Sequence, residues 1–214
     1  LHIGSQITEL SPFELSSEAA VNFADRLNKE GIDIEYIDIG GGLGISYQDQ
    51  DVPLPDDIAN TVKKYFKGRS ETLILEPGRS LIGDAGFLLT RINYVKKGSE
   101  KNFVIVDAGF NDLLRPALYG AYHEIKPVVK EGEKLRADVV GPVCETGDYI
   151  ALDRSLEGVK QDNIFAVFDA GAYGFSMSSN YNSRPRPAEI LIRDGEPDVI
   201  RRRELYQDLT DTEL

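Results

Sequence analysis

The sequence predicts an α/β unit with a parallel sheet, followed by an antiparallel β domain. Up to about residue 84, short β-rich runs alternate with amphipathic helices, which is the pattern of βα units. From residue 85 onwards, β-rich runs follow one another between Gly, Asn and Asp turns, and helical periodicity is scarce until the tail. We therefore expect two domains, residues 1–84 and residues 85–214.

The first domain is expected to alternate helices with short buried strands. Its first helix begins at Ser11, because the tract SPFE has the form of a capping box with proline at the first helical position. Gly31 ends that helix. The other predicted elements are a strand at residues 34–39, a helix at 54–66 and a strand at 72–75.

The second domain is expected to consist of strands, with a short helical tail. Val, Ile, Phe and Leu dominate each predicted strand, and turn residues separate one strand from the next. The predicted strands cover residues 87–95, 103–106, 124–129, 135–140, 164–168 and 188–192.

The charge balance excludes two classes of partner. The chain carries a net charge of −12 over 214 residues, with 41% hydrophobic residues. Nucleic acid and anionic membranes would repel such a protein, so we expect neither as a partner. No apolar run approaches the ~18 residues of a membrane span.

The cysteine and histidine content limits disulfide and metal chemistry. One cysteine excludes an intrachain disulfide framework and a Cys-rich zinc site, and a reducing, cytoplasmic location fits this usage. The two histidines have no metal-binding spacing, so we expect no metal. The first residues, LHIGS, resemble the end of a buried strand and its loop, so we expect the chain to be a fragment.

Three polar, glycine-containing tracts follow apolar runs, and this suggests loops that converge on one anionic ligand. The tract CETGD holds Cys144, the only cysteine, between apolar and acidic neighbours. An inert buried thiol is the alternative. The tract with Gly40, Gly41 and Gly42 is either a flexible turn or a phosphate cradle, in which backbone amides approach an anion. It lacks the spacing of a Rossmann fingerprint.

The third tract, Glu76-Pro77-Gly78-Arg79, places an acid and a base on either side of a turn. A surface salt bridge is the alternative to a functional role. In the functional interpretation, the guanidinium grips a carboxylate or a phosphate. The carboxylate then pairs with a protonated ring nitrogen of a pyridine cofactor.

Four further side chains are candidates for the same site. Arg115 and Tyr119 share a face if their segment is helical, and together they could hold a substrate carboxylate; packing of Tyr119 is the alternative. Tyr173 lies among small residues, so it could reach a phosphate or could be a core tyrosine. The ring of His2 could stack on a planar cofactor or could be a core histidine.

Six motifs occur in an order that resembles a known family. They are HIGSQ, IDIGGGLG, EPGR, DAGFNDLLRPALYGAYH, GPVCETGD and AGAYGFSMSSNYNSRPRPAEIL. Together they resemble the diaminopimelate decarboxylases, which are fold-type III pyridoxal 5′-phosphate enzymes, over nearly the whole chain. The resemblance implies a partial (β/α)8 barrel followed by a β domain. It also implies decarboxylation of meso-diaminopimelate to L-lysine and CO2, the last step of lysine biosynthesis.

The resemblance also assigns roles to individual residues. Cys144 corresponds to the proton donor. The implied cofactor residues are His2, Ser5, Gly40, Gly41, Gly42, Glu76, Pro77, Gly78, Arg79 and Tyr173. The implied substrate residues are Arg79, Arg115, Tyr119, Glu145 and Tyr173. Cys144 and Glu145 would enter the active site of a partner subunit, which implies a homodimer with shared active sites.

One departure from the family pattern concerns the lysine that holds the cofactor as a Schiff base. In the family it lies before the tract that corresponds to His2, and no lysine of this chain stands in a matching context. We therefore expect the fragment alone to be inactive. The alternatives are a related ornithine, arginine or carboxynorspermidine decarboxylase, and a non-catalytic homologue that acts as a binding protein.

Overall fold

The structure is a computed structural model that describes residues 1–213. It divides into two compact units, Leu1–Ala85 and Gly86–Leu214. None of the helices in the described residues is long and apolar enough to cross a membrane.

The first unit packs two helices against a parallel pair of strands. Strand β1 (Tyr36–Asp38) pairs in parallel with β2 (Thr72–Ile74), with Ile37 opposite Leu73, so the predicted parallel sheet is confirmed. The buried core includes Phe13, Ile37 and Val62. The elements are α1 Ser11–Lys29, β1 Tyr36–Asp38, α2 Pro55–Phe66, β2 Thr72–Ile74 and the short α3 Arg79–Ile82.

The predicted capping box at the start of α1 is wrong. Leu10 occupies the N-cap position, and no side chain caps the helix, because Ser11 is already its first helical residue. The other end of the helix agrees with the sequence. Gly31 adopts a φ of +83°, a left-handed conformation that glycine accepts without strain, and it follows the C-cap residue Glu30.

The second unit contains a six-stranded sheet with a separate two-stranded hairpin. Its strands are β3 Leu88–Lys96, β4 Phe103–Val106, β5 Ile125–Pro127, β6 Glu133–Val140, β7 Tyr149–Val159, β8 Ile164–Val167, β9 Glu189–Arg193 and β10 Glu196–Arg201. The order in the sheet is β5-β8-β3-β4-β6-β7, and β9 pairs with β10. The helices are α4 Arg115–Tyr119 and α5 Tyr206–Thr210.

The sheet corrects the prediction of a purely antiparallel domain. Strands β4 and β6 pair in parallel, with Val104 opposite Val139, while the other neighbours are antiparallel. The carboxyl ends of β4 and β6 therefore lie side by side at the same end of the sheet. The loops that follow them, residues 107–114 and 141–148, are brought together there.

Two strands were not predicted, because neither shows a regular alternation of buried and exposed residues. Strand β7 lies at the edge of the sheet and carries Asp153 at a φ of +51°, so its apolar residues do not alternate regularly. Strand β10 is exposed at every position. Neither sequence therefore has the period-two burial pattern of a half-buried strand.

Candidate functional site

In the first unit, the glycine tract contacts two other loops so closely that side chains are excluded. A Cβ atom on Gly41 would overlap the carbonyl oxygen of Glu76, and one on Gly42 would overlap that of Gly4. A Cβ atom on Gly40 would lie 2.9 Å from Nδ1 of His2. The structure thus brings the tracts that contain His2, the three glycines and Glu76 into direct contact.

Backbone hydrogen bonds hold these loops in place. The amide of Glu76 donates to the carbonyl of Gly40 at 2.9 Å, and the amide of Ile7 donates to that of Gly42 at 2.8 Å. In the part of the chain that the structure describes, the amides of Gly41 and Gly42 donate to no other group. Free amides in a glycine loop form the kind of concavity that binds anions.

Arg79 extends this cluster. It is the first residue of α3, and its Nη2 donates to the hydroxyl of Ser5 at 3.2 Å. Its Nη1 donates to the hydroxyl of Tyr47, whose ring lies beside the guanidinium. No sequence pattern marks Tyr47, because no spacing relates it to Arg79. Glu76, Pro77 and Gly78 are exposed immediately before the helix.

In the second unit, Cys144 lies on an exposed loop between β6 and β7. The alternative of an inert buried thiol is therefore wrong. The amide of Glu145 donates to the carbonyl of Val143 at 2.9 Å, and the amide of Asp148 donates to the carbonyl of Glu145 at 3.0 Å. These bonds fold the tract into a compact turn that presents the thiol and the carboxylate of Glu145 to solvent.

The carboxylate of Asp148 fixes the base of that turn. It is buried and accepts the backbone amides of Val143 at 2.5 Å and of Phe110 at 2.7 Å. A Cβ atom on Gly141 would overlap this carboxylate, and one on Gly109 would lie 3.0 Å from it. Asp148 thus joins the loop that follows β6 to the loop that follows β4, a role that its place in the motif did not reveal.

Tyr181 contacts the same turn from a distant part of the chain. Its hydroxyl donates to Oε2 of Glu145 at 3.3 Å, and its ring meets that of Phe110 edge to face, with 5.2 Å between ring centroids. The negative charge of Glu145 raises the pKa of the Tyr181 phenol, since ionisation would place two anions side by side. No local sequence pattern marks Tyr181 as a functional residue.

Arg115 and Tyr119 begin and end helix α4, but their exposure differs. Arg115 is buried and its Nη1 donates to Nε2 of His123 at 3.2 Å, while Nδ1 of His123 donates to the carbonyl of Phe168 at 2.8 Å. Tyr119 is 65% exposed, so the alternative of a packed tyrosine is wrong. The segment is helical, as the shared face of Arg115 and Tyr119 requires.

His2 and Tyr173 are also exposed, so neither is a core residue. Tyr173 has a φ of +60°, a left-handed conformation that is uncommon for an aromatic residue. It precedes Gly174, where a Cβ atom would overlap the carbonyl oxygen of Ala170. Backbone of this kind concentrates at functional sites.

Most of the chain matches the model of one protein family. The family model described as "Pyridoxal-dependent decarboxylase, C-terminal sheet domain" matches residues 17–171. This chain belongs to the pyridoxal-dependent decarboxylases. The cofactor of the family is pyridoxal phosphate, as the sequence motifs implied.

Individual members of the decarboxylase family are similar over the whole chain. Diaminopimelate decarboxylase of Aquifex aeolicus is 50% identical and that of Neisseria meningitidis is 51% identical; each match covers 100% of this chain and 51% or 52% of the relative. The crystal structure of diaminopimelate decarboxylase from M. jannaschii in complex with L-lysine matches with a TM-score of 0.92 at 42% identity, covering 100% of this chain and 50% of that one. The resemblance to diaminopimelate decarboxylases is confirmed. The chain spans about half the length of the relatives it matches.

Proposed function

We propose that an enzyme carrying this chain decarboxylates meso-diaminopimelate to L-lysine and CO2. The observation that carries the proposal is the meeting of His2, the glycine tract, Glu76 and Arg79 in one cluster, in a chain about 50% identical to diaminopimelate decarboxylases. Because the chain spans about half the length of those relatives, we assign the activity to a complete enzyme that contains this chain. In that enzyme the first unit forms the later βα units of a (β/α)8 barrel.

The chemistry of the first cluster fits pyridoxal 5′-phosphate. The free amides of Gly41 and Gly42, the hydroxyl of Ser5 and the guanidinium of Arg79 suit a phosphate dianion. The exposed carboxylate of Glu76 suits the protonated ring nitrogen, and the exposed ring of His2 can stack on the pyridine face. When bound, the cofactor supplies an electron sink for the electron pair that remains after CO2 departs.

Phosphate binding extends to Gly40, which closes the glycine loop. Pro77 and Gly78 complete the turn between Glu76 and Arg79. Neither contributes a side chain that hydrogen-bonds, so their role is to set the path of the backbone between the carboxylate and the guanidinium.

The substrate-binding residues match a zwitterion at each end of the substrate. Meso-diaminopimelate carries an ammonium and a carboxylate at both ends, and only one end reacts. Arg79, Arg115 and Tyr119 offer positive charge and a phenol to the carboxylate of the end that does not react. Glu145, which is exposed beside Cys144, offers a negative charge to the distal ammonium. Tyr173 also lines the substrate in this proposal.

Cys144 acts as the proton donor. The thiol is exposed on a turn that Asp148 holds rigid, so a proton on Sγ can be delivered to the carbon that has lost its carboxylate. Cys144 and Glu145 serve the active site of a partner subunit, and the enzyme is a cytoplasmic homodimer with shared active sites.

Product analysis tests the proposed function. The complete enzyme contains this chain and the segment that corresponds to the rest of its relatives. It is incubated with meso-diaminopimelate, ornithine, arginine or carboxynorspermidine. We expect L-lysine from the first compound and no amine from the other three. Release of an amine from any of the other three would favour a related decarboxylase, and no turnover of any compound would favour a binding protein.

A further inference from the structure

Four residues form a closed ring of contacts around the exposed turn at residues 143–148 of the second unit. The carboxylate of Asp148 accepts the amide of Phe110, the ring of Phe110 meets that of Tyr181, and the hydroxyl of Tyr181 donates to Glu145. The carbonyl of Glu145 accepts a hydrogen bond from the amide of Asp148, which closes the ring of contacts. Glu145 is therefore restrained through both its backbone and its side chain.

The segment that presents Tyr181 is itself firmly anchored. Ser183, two residues further on, has a φ of +55°, a left-handed conformation that a serine keeps only where its surroundings fix it. The amide of Ser179 donates to the carbonyl of Asn111 at 2.9 Å, and Nε of Arg184 donates to Oδ1 of the same residue at 3.0 Å. Both anchors join the segment to the loop that contains Phe110.

We infer that Tyr181 is a positioning residue for Glu145, and that it sets how strongly the enzyme recognises the distal ammonium of its substrate. The inference rests on the proposed function. An exposed glutamate samples several rotamers, and ordering it at the moment of binding costs conformational entropy. The hydroxyl of Tyr181 removes part of that cost by holding the carboxylate before the ammonium arrives. Tyr181 needs no contact with substrate or cofactor for this effect.

The substitution Tyr181→Phe removes only the hydroxyl and keeps the ring against Phe110. We expect KM for meso-diaminopimelate to rise about three- to tenfold, the worth of one hydrogen bond to a charged group near the surface. We expect kcat to stay within about twofold, because the bond is present before and after the reaction. Tyr94→Phe, which removes a phenol hydroxyl from an exposed position on β3, is the matched control and should leave both constants unchanged.

A double-mutant cycle separates positioning from a general structural role. In a Glu145→Gln background, Tyr181→Phe should add little to the rise in KM, because the carboxylate that it positions is already gone. Additive effects in the cycle would overturn the inference, as would an unchanged KM in the single variant or an equal loss of kcat.

Crystal structures of the wild-type enzyme and of Tyr181→Phe supply a readout that does not depend on activity. We expect a single conformer of Glu145 in the first and several in the second. One unchanged conformer in both would overturn the inference even if lysine is the product. If the wild-type enzyme releases no lysine, the proposed function fails, and the positioning of Glu145 is still decided by these two structures.

Discussion

The guanidinium of Arg115 donates to Nε2 of His123 across 3.2 Å, and both side chains are buried. Because arginine can only donate, Nε2 carries no proton, and the ring proton lies on Nδ1, which donates to the carbonyl of Phe168. His123 therefore sits between a fixed donor and a fixed acceptor. This arrangement determines the direction of a guanidinium that we assign to substrate binding.

We predict that His123→Phe destabilises the protein and weakens substrate binding. The substitution keeps a ring in the site but removes both hydrogen bonds, at a cost of about 2–3 kcal/mol in the free energy of unfolding. Urea unfolding measures this loss, and steady-state kinetics should show a higher KM for meso-diaminopimelate, because Arg115 is no longer oriented. Unchanged stability together with an unchanged KM would show that the hydrogen bonds have no such role.

Gly41→Ala is predicted to disrupt the cluster in the first unit. A Cβ atom there overlaps the backbone carbonyl of Glu76, so one of the two loops must move, at a cost of about 1–3 kcal/mol. We expect a weaker retention of pyridoxal phosphate, measured by dialysis and absorbance, as well as a lower unfolding midpoint.

The matched control for Gly41→Ala is Gly147→Ala. The nearest atom to a Cβ on Gly147 is the Cβ of Ala117 at 3.8 Å, an ordinary contact, so this change should leave the unfolding midpoint nearly unchanged. Similar losses in the two variants would mean that loss of glycine flexibility, and not overlap with Glu76, is responsible.

The ion pairs of Arg69 are expected to contribute to the free energy of unfolding in a pH-dependent way. Its Nη2 donates to Glu71 at 2.6 Å and to Asp25 on α1 at 2.7 Å, and the hydrogen bond from Arg69 lowers the pKa of Glu71 below its usual range. A carboxyl whose folded pKa is lowered stabilises the fold above its unfolded pKa of about 4.3, and this contribution is lost as pH falls through the folded value. Glu71→Gln should therefore lower the urea midpoint near pH 7 and have a smaller effect near pH 3. An effect of the same size at both pH values would contradict the assignment.

Cys144→Ala is predicted to slow turnover far more than it weakens binding. Loss of a proton donor costs about a hundredfold or more in kcat, whereas the exposed thiol contributes little to binding of the ground state. Thr146→Ala, at an exposed position of the same turn, is the control and should keep kcat near the wild-type value. A rise in KM with kcat unchanged would contradict the role of Cys144 as proton donor.

The sequence predicted elements whose burial follows a simple period. Strands β4 and β8 are short apolar runs between turn residues, and α2 carries Ile58 and Val62 on its buried face. The edge strand β7 could not be predicted in this way, because the bulge at Asp153 breaks the alternation. The parallel pairing of β4 with β6 depends on contacts between distant segments, which local pattern does not encode.

The candidate site also contains residues that local sequence patterns mark and residues that they do not. Glycine tracts and charged pairs mark Gly41, Glu76 and Arg79 within short motifs, and the structure brings these motifs together in the first unit. Asp148 and Tyr181 were missed because their roles depend on tertiary contacts. The hydroxyl of Tyr181 reaches a glutamate 36 residues away in sequence, and no spacing rule relates the two.

A crystal structure of the enzyme with pyridoxal phosphate bound shows whether the loop cluster of the first unit holds the cofactor. We predict that the phosphate accepts the amides of Gly41 and Gly42, and that the carboxylate of Glu76 lies within hydrogen-bond distance of the ring nitrogen. Electron density for the cofactor elsewhere in the enzyme, with these groups left in contact with solvent, would show that the cluster is not the cofactor site.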